Sequence, residues 1–520
     1  MMRRVTIIVL AVLLQMGILT GCGGGETTLT IIAGSELKDL EPMLDQIADD
    51  TGYRLEFTYT GTLTGAERIL AGEHFDMAWF SHAKYLELLA EGSGLVKASD
   101  PVMLSPVVLG VKESRALSWG WDSGAVTWED IAAKAETGEL RFAMTNPTAS
   151  NSGFTALIGV ATAFAGTGAA LDVGDIPTED MQRFFKGLEL TAGSSGWLAD
   201  SYVESQQTLD GIVNYESVLL SLNEEPGLLA EKLTLVYPTD GVVTADYPLM
   251  LLNDEQREAH TALVDYLRSP EMQEAIGTST LRRPAVPGVT MDSRIPDAVL
   301  VEVPFPRSLA VVDELLFSYL DDQRAPAHTY YVLDASGSMD GDPIEHLKSS
   351  LKNLTGLDSS VTGQFARFRL REEVTLIVFS DFIESVTDFE IVDTDPNSDE
   401  FRRFREFVDT GLVAGGGTAL YDALLLAYEL AGEAKAADPD RFYSIVLLSD
   451  GEANEGMKYG SFHQAFSGLH EDIRAIRTFP ILFGDASEDE MRAVADLTRG
   501  RVFDSGGDLS SAFKTIRGYQ

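Results

Sequence analysis

The chain has 520 residues, of which 45% are hydrophobic and 23% charged, and its formal net charge is −42 at pH 7. This length predicts more than one domain. A surface this negative disfavours nucleic acid and anionic lipid headgroups as partners. Because Cys22 is the only cysteine, an internal disulfide is excluded.

The N-terminus has the features of a secretion signal. Two arginines precede the apolar run Val5–Leu19, which ends in the sequence Leu-Thr-Gly-Cys22. This ending resembles a bacterial lipobox, which implies a signal peptide over 1–22, lipidation of Cys22 and a Gly-rich tether over 23–27. The protein would then be anchored by lipid in the cell membrane, facing the extracytoplasmic side. The alternative is a retained membrane helix, for which the apolar run is short, since a span needs roughly 20 residues.

Strand and helix patterns alternate through the region that follows, which predicts α/β layers with a mainly parallel sheet. Two long extended runs, 102–112 and 242–252, interrupt the alternation. The early strands are predicted at 28–33, 55–59 and 75–80, and the early helices at 37–51, 65–70 and 83–90.

Several pieces of this region resemble the type II periplasmic solute-binding proteins that feed ABC transporters. The pieces are Ala33-Gly34-Ser35, the segments 72–76 and 145–154, and Asn214-Tyr215-Glu216. The resemblance implies a domain over 28–304, with two α/β lobes joined by the two extended runs and a solute in the cleft between them. Lobe one would comprise 28–104 and 245–304, and lobe two 106–240.

Small polar residues stand where strands give way to helices in both lobes. Ser35 does so in lobe one, and Ser150, Ser152 and Gly153 do so in lobe two. Helix N-termini offer free backbone N–H groups and a partial positive charge, so these ends predict a small anionic solute. No Arg or Lys is plainly placed to neutralise a dianion. The alternative is that the serines only cap helices, and that Tyr215 is an ordinary half-buried aromatic rather than part of the pocket.

Periodicity breaks near Pro304, and a short amphipathic helix within 305–326 is predicted to link two domains. The second domain, 327–520, resumes the alternation. Its strands are predicted at 329–334, 374–380, 383–392 (an antiparallel edge), 444–449, 478–483 and 501–503.

Three polar motifs of this second domain fall at strand ends or at a helix start. Asp334, Ser336 and Ser338 follow an apolar strand, Thr418 opens an apolar helix, and Asp450 ends another strand. In an open parallel sheet, ligands bind beyond the carboxyl ends of the strands. Carboxylate and hydroxyl oxygens are hard ligands that suit Mg²⁺, Mn²⁺ or Ca²⁺.

Together these motifs resemble the metal-ion-dependent adhesion site of the von Willebrand factor A domain, a doubly wound, Rossmann-like fold with a mainly parallel central sheet. The resemblance implies that Ser336 and Ser338 bind Mg²⁺ (or Mn²⁺ or Ca²⁺) directly, and that Thr418 joins them when a partner binds. Asp334 and Asp450 would hold water and the hydroxyls, or would ligate the ion directly in some states. The open coordination position would accept a carboxylate from a protein partner.

Catalysis is not expected. The chain has no phosphate-binding loop of the Gly-x₄-Gly-Lys form and no Gly-x-Ser-x-Gly elbow, and Ser336 stands where phosphoryl transfer would need a second carboxylate. The sequence therefore predicts a binding protein, either an adhesion or assembly protein that also holds a solute, or an ABC-transporter receptor with an accessory docking domain.

Overall fold

The computed structural model describes residues 27–90, 92–484 and 486–519. The predicted signal peptide and most of the tether, with Cys22, lie outside the described residues. Across the described ranges, no helix is long and apolar enough to cross a bilayer. The strands there form three sheets.

The first two sheets belong to the N-terminal half. The strands are β1 (Thr27–Gly34), β2 (Tyr53–Thr60), β3 (Met77–Trp79), β4 (Ala98–Pro101), β5 (Met103–Lys112), β6 (Phe142–Thr145), β7 (Leu188–Ala192), β8 (Gly211–Tyr215), β9 (Leu233–Val236), β10 (Thr244–Ala245), β11 (Pro248–Leu251) and β12 (Arg283–Pro284). The helices are α1 (Leu44–Thr51), α2 (Thr62–Leu70), α3 (Lys84–Leu89), α4 (Glu113–Trp119), α5 (Trp128–Glu136), α6 (Asn151–Ala165), α7 (Thr178–Phe185), α8 (Ser195–Ser205), α9 (Glu216–Glu224), α10 (Arg257–Leu267) and α11 (Pro270–Thr280).

Each of these two sheets forms the centre of one lobe. The first sheet has the order β2-β1-β3-β11-β4, and the second has the order β10-β5-β8-β6-β7, with β9 and β12 also paired to β5. The prediction of a mainly parallel sheet is wrong here, because both sheets contain parallel and antiparallel strand pairs. Strands that return from the other lobe run against their neighbours, as β11 does beside β3 and β5 does beside β8.

The chain crosses between the lobes at the two predicted extended runs. Strand β4 of the first sheet continues through Val102 into β5 of the second. The sequence predicted one continuous strand for the return crossing, and this prediction is wrong. The crossing breaks into β10 and β11 at Tyr247, a residue with φ of +40° that L side chains rarely adopt. The two short strands pair with different sheets.

The predicted helix 37–51 is divided. Residues Ser35–Met43 form a 3₁₀ helix that contains Pro42, and α1 begins only at Leu44. Proline lacks an N–H and clashes with the carbonyl four residues earlier, so it cannot lie inside an α-helix begun at Leu37.

The segment after the lobes forms α12 (Leu309–Ser318) and a π-helical turn (Tyr319–Gln323). Its apolar side chains, such as Val312 and Leu316, are fully buried in the same core as both lobes. This connection is therefore packed against the solute-binding lobes along its length.

The C-terminal sheet has the order β15-β14-β13-β16-β17-β18 and is parallel except for the predicted antiparallel edge, β15. Its strands are β13 (Ala327–Asp334), β14 (Glu373–Phe379), β15 (Ile383–Glu390), β16 (Phe442–Ser449), β17 (Arg477–Leu482) and β18 (Phe503–Asp504). Its helices are α13 (Asp342–Lys352), α14 (Val361–Ala366), α15 (Asp399–Gly411), α16 (Leu420–Ala437), α17 (Tyr459–Ser467), α18 (Glu471–Arg474), α19 (Glu488–Leu497) and α20 (Leu509–Arg517).

Helices cover both faces of this sheet. Successive strand residues point to opposite faces, so the apolar strands bury side chains on each side. Tyr331 and Leu333 share a core with α13, α15 and α20. Tyr330 and Val332 share a different core with α16, α17 and α19. The three-layer arrangement leaves the carboxyl ends of β13 and β16 side by side, where the predicted oxygen ligands lie.

Candidate functional site

The two lobes touch directly across the predicted solute cleft. The backbone N–H of Thr62 in lobe one donates to Oδ1 of Asn151 in lobe two at 2.8 Å, and Nδ2 of Asn151 donates to Glu36 at 3.2 Å. A Cβ added to Gly61 would lie 2.3 Å from the carbonyl oxygen of Ala149. The cleft is therefore closed, and this close approach requires glycine at position 61.

Ser152 lies in a buried cluster of hydroxyls within lobe two. Its Oγ is 2.8 Å from Oγ1 of Thr145, at the end of β6, and 2.7 Å from Oγ of Ser195, the first residue of α8. The N-termini of α6 and α8 meet at this cluster, so their free backbone N–H groups and positive dipole ends converge on it.

The other predicted lobe residues occupy positions around this cluster. Ser150 is the N-cap residue of α6 but makes no side-chain capping bond, and its Oγ lies 3.5 Å from that of Ser152. A Cβ on Gly153 would lie 2.2 Å from the carbonyl oxygen of Thr145, so glycine lets the helix approach the strand. Ser35 is half-buried at the start of the 3₁₀ helix in lobe one.

A second polar cluster, which sequence reasoning missed, lies between the lobes around Arg282. This side chain is fully buried; it forms an ion pair with Asp39 and donates to the backbone carbonyl of Glu36 at 3.1 Å. Its guanidinium carbon stands 4.8 Å from the centre of the Tyr247 ring. Arg282 thus adds a cation that the sequence did not indicate, although its charge is already paired with Asp39.

Burial raises the pKa of three titratable groups beside Arg282. Burial raises the pKa of Tyr215 and Tyr247 well above the usual value, and burial also raises the pKa of Glu36 despite its hydrogen bonds. Within the described residues, neither tyrosine hydroxyl makes a hydrogen bond of acceptable geometry. Two unused O–H donors and a cation favour a ligand that carries acceptor oxygens.

The five predicted oxygen residues of the C-terminal domain lie together. Ser338 Oγ donates to Oδ1 of Asp450 at 2.7 Å and lies 3.0 Å from Ser336 Oγ. The main-chain N–H of Ser336 donates to Oδ1 of Asp334 at 2.7 Å. A Cβ on Gly451 would lie 3.5 Å from Ser338 Oγ and 4.0 Å from Oγ1 of Thr418, so the third loop reaches the same point.

Backbone contacts between the loops fix this cluster. The N–H of Gly337 donates to the carbonyl of Gly416 at 3.1 Å, and that of Gly415 donates to the carbonyl of Ala335 at 2.8 Å. Asn454 accepts from the N–H of Thr418 at 2.9 Å. Asp334, Ser336, Thr418 and Asp450 are buried, whereas Ser338 is exposed and so marks the opening of the site.

The donor set fits a hard divalent cation. Burial raises the pKa of Asp334, the hydrogen bonds from Ser449 and Ser336 oppose that rise, and the nearby carboxylate of Asp450 adds to it. Two carboxylates and three hydroxyls at one point gain a common counter-charge if a cation binds there. Among the described residues, no group of three or more His, Cys, Asp or Glu side chains is placed to hold a metal ion.

Comparisons with known proteins identify the N-terminal half. Residues 29–279 match the family model described as bacterial extracellular solute-binding protein. The region is similar to the structure of the periplasmic binding protein P5PA (16% identity, 57% of this chain and 100% of that chain, TM-score 0.45). It is also similar to the periplasmic binding protein AfuA from Actinobacillus pleuropneumoniae (14% identity, 57% of this chain and 99% of that chain, TM-score 0.45). A third similar structure is the sulfate-binding protein SubI from Mycobacterium tuberculosis H37Rv (17% identity, 55% of this chain and 96% of that chain, TM-score 0.41). A comparison with curated protein sequences gave no match.

Residues 29–279 therefore match a bacterial extracellular solute-binding domain, which is the class of domain that the sequence predicted. Domains of this family bind small solutes outside the cytoplasm and interact with ABC permeases, and they are typically non-enzymatic components of transport.

Proposed function

We propose that this solute-binding domain serves in a lipid-anchored binding protein whose C-terminal domain, 327–520, is a von Willebrand factor A domain. That domain would bind a divalent cation and, through it, a protein partner. The observation that carries the proposal is the convergence of Asp334, Ser336, Ser338, Thr418 and Asp450 at the carboxyl edge of a parallel sheet.

The resemblance to the von Willebrand factor A domain gives the proposed roles of the five residues. Ser336, Ser338 and Thr418 would hold the ion through their hydroxyl oxygens, while Asp334 and Asp450 orient these hydroxyls and balance the charge. Mg²⁺ keeps several waters and tolerates few protein ligands, which agrees with a site that opens at Ser338. When bound, the ion supplies an exchangeable position that a partner's carboxylate can occupy.

The solute that we propose for the cleft is small and anionic. Two helix N-termini, α6 and α8, meet at the Ser152–Ser195 hydroxyls, and Arg282 adds a buried cation between the lobes. Such donors favour an oxyanion or carboxylate. Because Asp39 already pairs with Arg282, a ligand of low charge fits better than a multiply charged one.

A second function is a transport receptor that delivers solute to an ABC permease, with the C-terminal domain as an accessory docking piece. The family match favours this reading, because such domains interact with permeases. A solute-dependent increase in the ATPase rate of a reconstituted cognate permease would support it.

The lipid anchor at Cys22 remains part of the proposal. Cys22→Ser should release the protein from the membrane fraction or leave it unprocessed. If this variant is processed and retained like the parent protein, the lipobox interpretation is wrong.

A thermal-shift screen of the full chain tests the solute. Phosphate, sulfate, sugar phosphates and small carboxylates are compared with matched neutral sugars and cationic amines, because a ligand at 100 times its Kd adds about 2.7 kcal/mol of stability. Ser152→Ala should weaken binding of the selected anion by about 1–3 kcal/mol, whereas Ser118→Ala, an exposed serine of α4, should not. Tighter binding of a neutral or cationic ligand than of any anion would contradict the proposal.

A further inference from the structure

The C-terminal domain contacts both lobes of the solute-binding domain. On the side of lobe one, α14 lies against α2, and the main-chain N–H of Thr362 donates to Oε2 of Glu67 at 3.1 Å. Phe365 of α14 belongs to the same buried core as Leu63 and Ala66 of α2. This contact therefore combines a hydrogen bond at a helix N-terminus with apolar packing.

On the side of lobe two, the contact centres on Tyr519, just after α20. Its ring meets that of Trp197 edge-on, with the ring centres 4.8 Å apart. A Cβ on Gly193 would lie 2.2 Å from the Tyr519 ring, so the ring fills the space that a side chain at 193 would occupy. Arg477 of β17 covers the Trp197 ring at 5.0 Å. Apolar residues of lobe two and of the C-terminal sheet form one continuous core here.

The lobe-two contact reaches the loop that closes the cleft. A Cβ on Gly518 would lie 2.5 Å from the Ala149 side chain. Ala149 is also the residue whose carbonyl abuts Gly61 of lobe one, and Asn151 makes the hydrogen bond to Thr62. One short loop is therefore packed between lobe one and the C-terminal domain.

We propose that the C-terminal domain is a clamp that holds the cleft closed, so that solute can exchange only when the domain leaves one of the two lobes. Packed interfaces deform little before they separate. A body packed against both lobes cannot keep both contacts when the lobes rotate apart about the crossing strands.

This clamp is a regulation of the proposed solute site and rests on that proposed function. Coupling between sites is reciprocal, so whatever undocks the domain opens the cleft, and whatever opens the cleft weakens docking. A partner of the C-terminal domain that binds the undocked state more tightly would release the solute, and one that binds the docked state would retain it.

Hydrogen exchange of the full chain, without solute or metal, tests the clamp. The reporter is the amide of Thr62, which is protected by a hydrogen bond across the closed cleft. Tyr519→Ala removes the ring at the centre of the lobe-two contact, and Glu67→Ala removes the hydrogen bond of the lobe-one contact. Each should speed exchange at Thr62 by about tenfold or more, because sub-global opening sets the exchange rate. Tyr519→Phe, which keeps the ring, should exchange like the wild type.

The amides of β16 report on the fold of the C-terminal domain in the same experiment. Faster exchange at Thr62 than in β16 supports the clamp. If the exchange rate at Thr62 is unchanged in both variants, the clamp is wrong, whatever the exchange rate in β16. The clamp is also wrong if the exchange rate at Thr62 rises only in proportion to the rate in β16. Neither result depends on the identity of the solute, so failure of the clamp is distinguishable from failure of the solute assignment.

Discussion

The hydroxyl of Ser338 donates a hydrogen bond to Oδ1 of Asp450 at 2.7 Å, although the two residues lie on loops that follow different strands. The bond connects the ends of β13 and β16, which are neighbours in the sheet. It orients a hydroxyl oxygen toward the point where the other oxygens of the cluster meet. A cation at that point would be bound by groups whose positions the backbone already fixes.

A buried charge triad attaches the connecting segment and α20 to the C-terminal sheet. Glu372 lies between Arg324 and Arg517, whose Nη2 atoms both donate to its carboxylate. Burial raises the pKa of Glu372, but the two guanidiniums prevail and hold the pKa below its usual value. The charged carboxylate therefore stabilises the fold at neutral pH, and this stabilisation is lost as the pH falls through its lowered pKa.

Glu372→Gln should lower the free energy of unfolding by about 3–5 kcal/mol, because two buried cations lose their counter-charge. Denaturant unfolding of the full chain, followed by a signal from the C-terminal domain, measures the effect. Glu345→Gln removes the ion pair between the exposed Glu345 and the half-buried Lys348, and it should change the free energy of unfolding by less than about 0.5 kcal/mol. Equal, small effects of both substitutions would show that the triad carries no net stability.

Gly61→Ala should keep the cleft from closing fully. The added Cβ would meet the carbonyl oxygen of Ala149 at 2.3 Å, which is far inside van der Waals contact. Small-angle X-ray scattering should show a larger radius of gyration than that of the wild type. Gly72→Ala is a useful comparison for local strain, since Gly72 has φ of +88° and open space around it. A compact Gly61→Ala protein with unchanged exchange at Thr62 would be inconsistent with the closed-cleft geometry.

His328 should make the C-terminal domain sensitive to mild acid. Burial lowers its pKa to about 4, with Asp388 opposing and Arg441 adding to the effect. Glu373 lies 3.1 Å from its Nδ1, but Arg441 also pairs with Glu373 at 2.9 Å, so that carboxylate is already compensated. We therefore expect a neutral imidazole in the fold.

Because the folded pKa lies below the unfolded value of about 6.5, the unfolded state binds more protons, and stability falls as the pH drops from about 6.5 to about 4. Between pH 7 and pH 5 the loss from this one group is about 2 kcal/mol. In His328→Phe this part of the loss should disappear, which paired denaturant titrations at the two pH values can measure. An identical pH dependence in wild type and variant would mean that His328 is protonated in the fold.

The sequence predicted the elements that periodicity and end signals determine. The positions of the strands along the C-terminal domain and its antiparallel edge follow from apolar runs separated by helical patterns. The convergence of Asp334 with Asp450 follows from their positions at the ends of parallel strands. Pro42 was the local signal that the predicted helix over 37–51 would be interrupted.

Contacts between residues far apart in sequence carried no such signal. Arg282 follows Leu281, the left-handed residue (φ of +56°) that caps α11, and no pattern indicated that its side chain is buried between the lobes. Trp197 packs against Tyr519 at the contact between domains, and no sequence pattern indicated this partner. These contacts depend on how the surfaces of the folded domains fit together, and neither secondary-structure propensity nor hydrophobic periodicity indicates them.

Binding of Mn²⁺ to the full chain, followed by calorimetry at about 0.15 M salt to screen the acidic surface, tests the central claim most directly. We expect one saturable Mn²⁺ site in the wild type. That site should disappear in Asp334→Asn and in Ser338→Ala but persist in Asp340→Asn, which changes an exposed carboxylate of the same loop. Saturable binding of one Mn²⁺ that survives both Asp334→Asn and Ser338→Ala would contradict the account, because the ion would then bind away from the oxygen cluster.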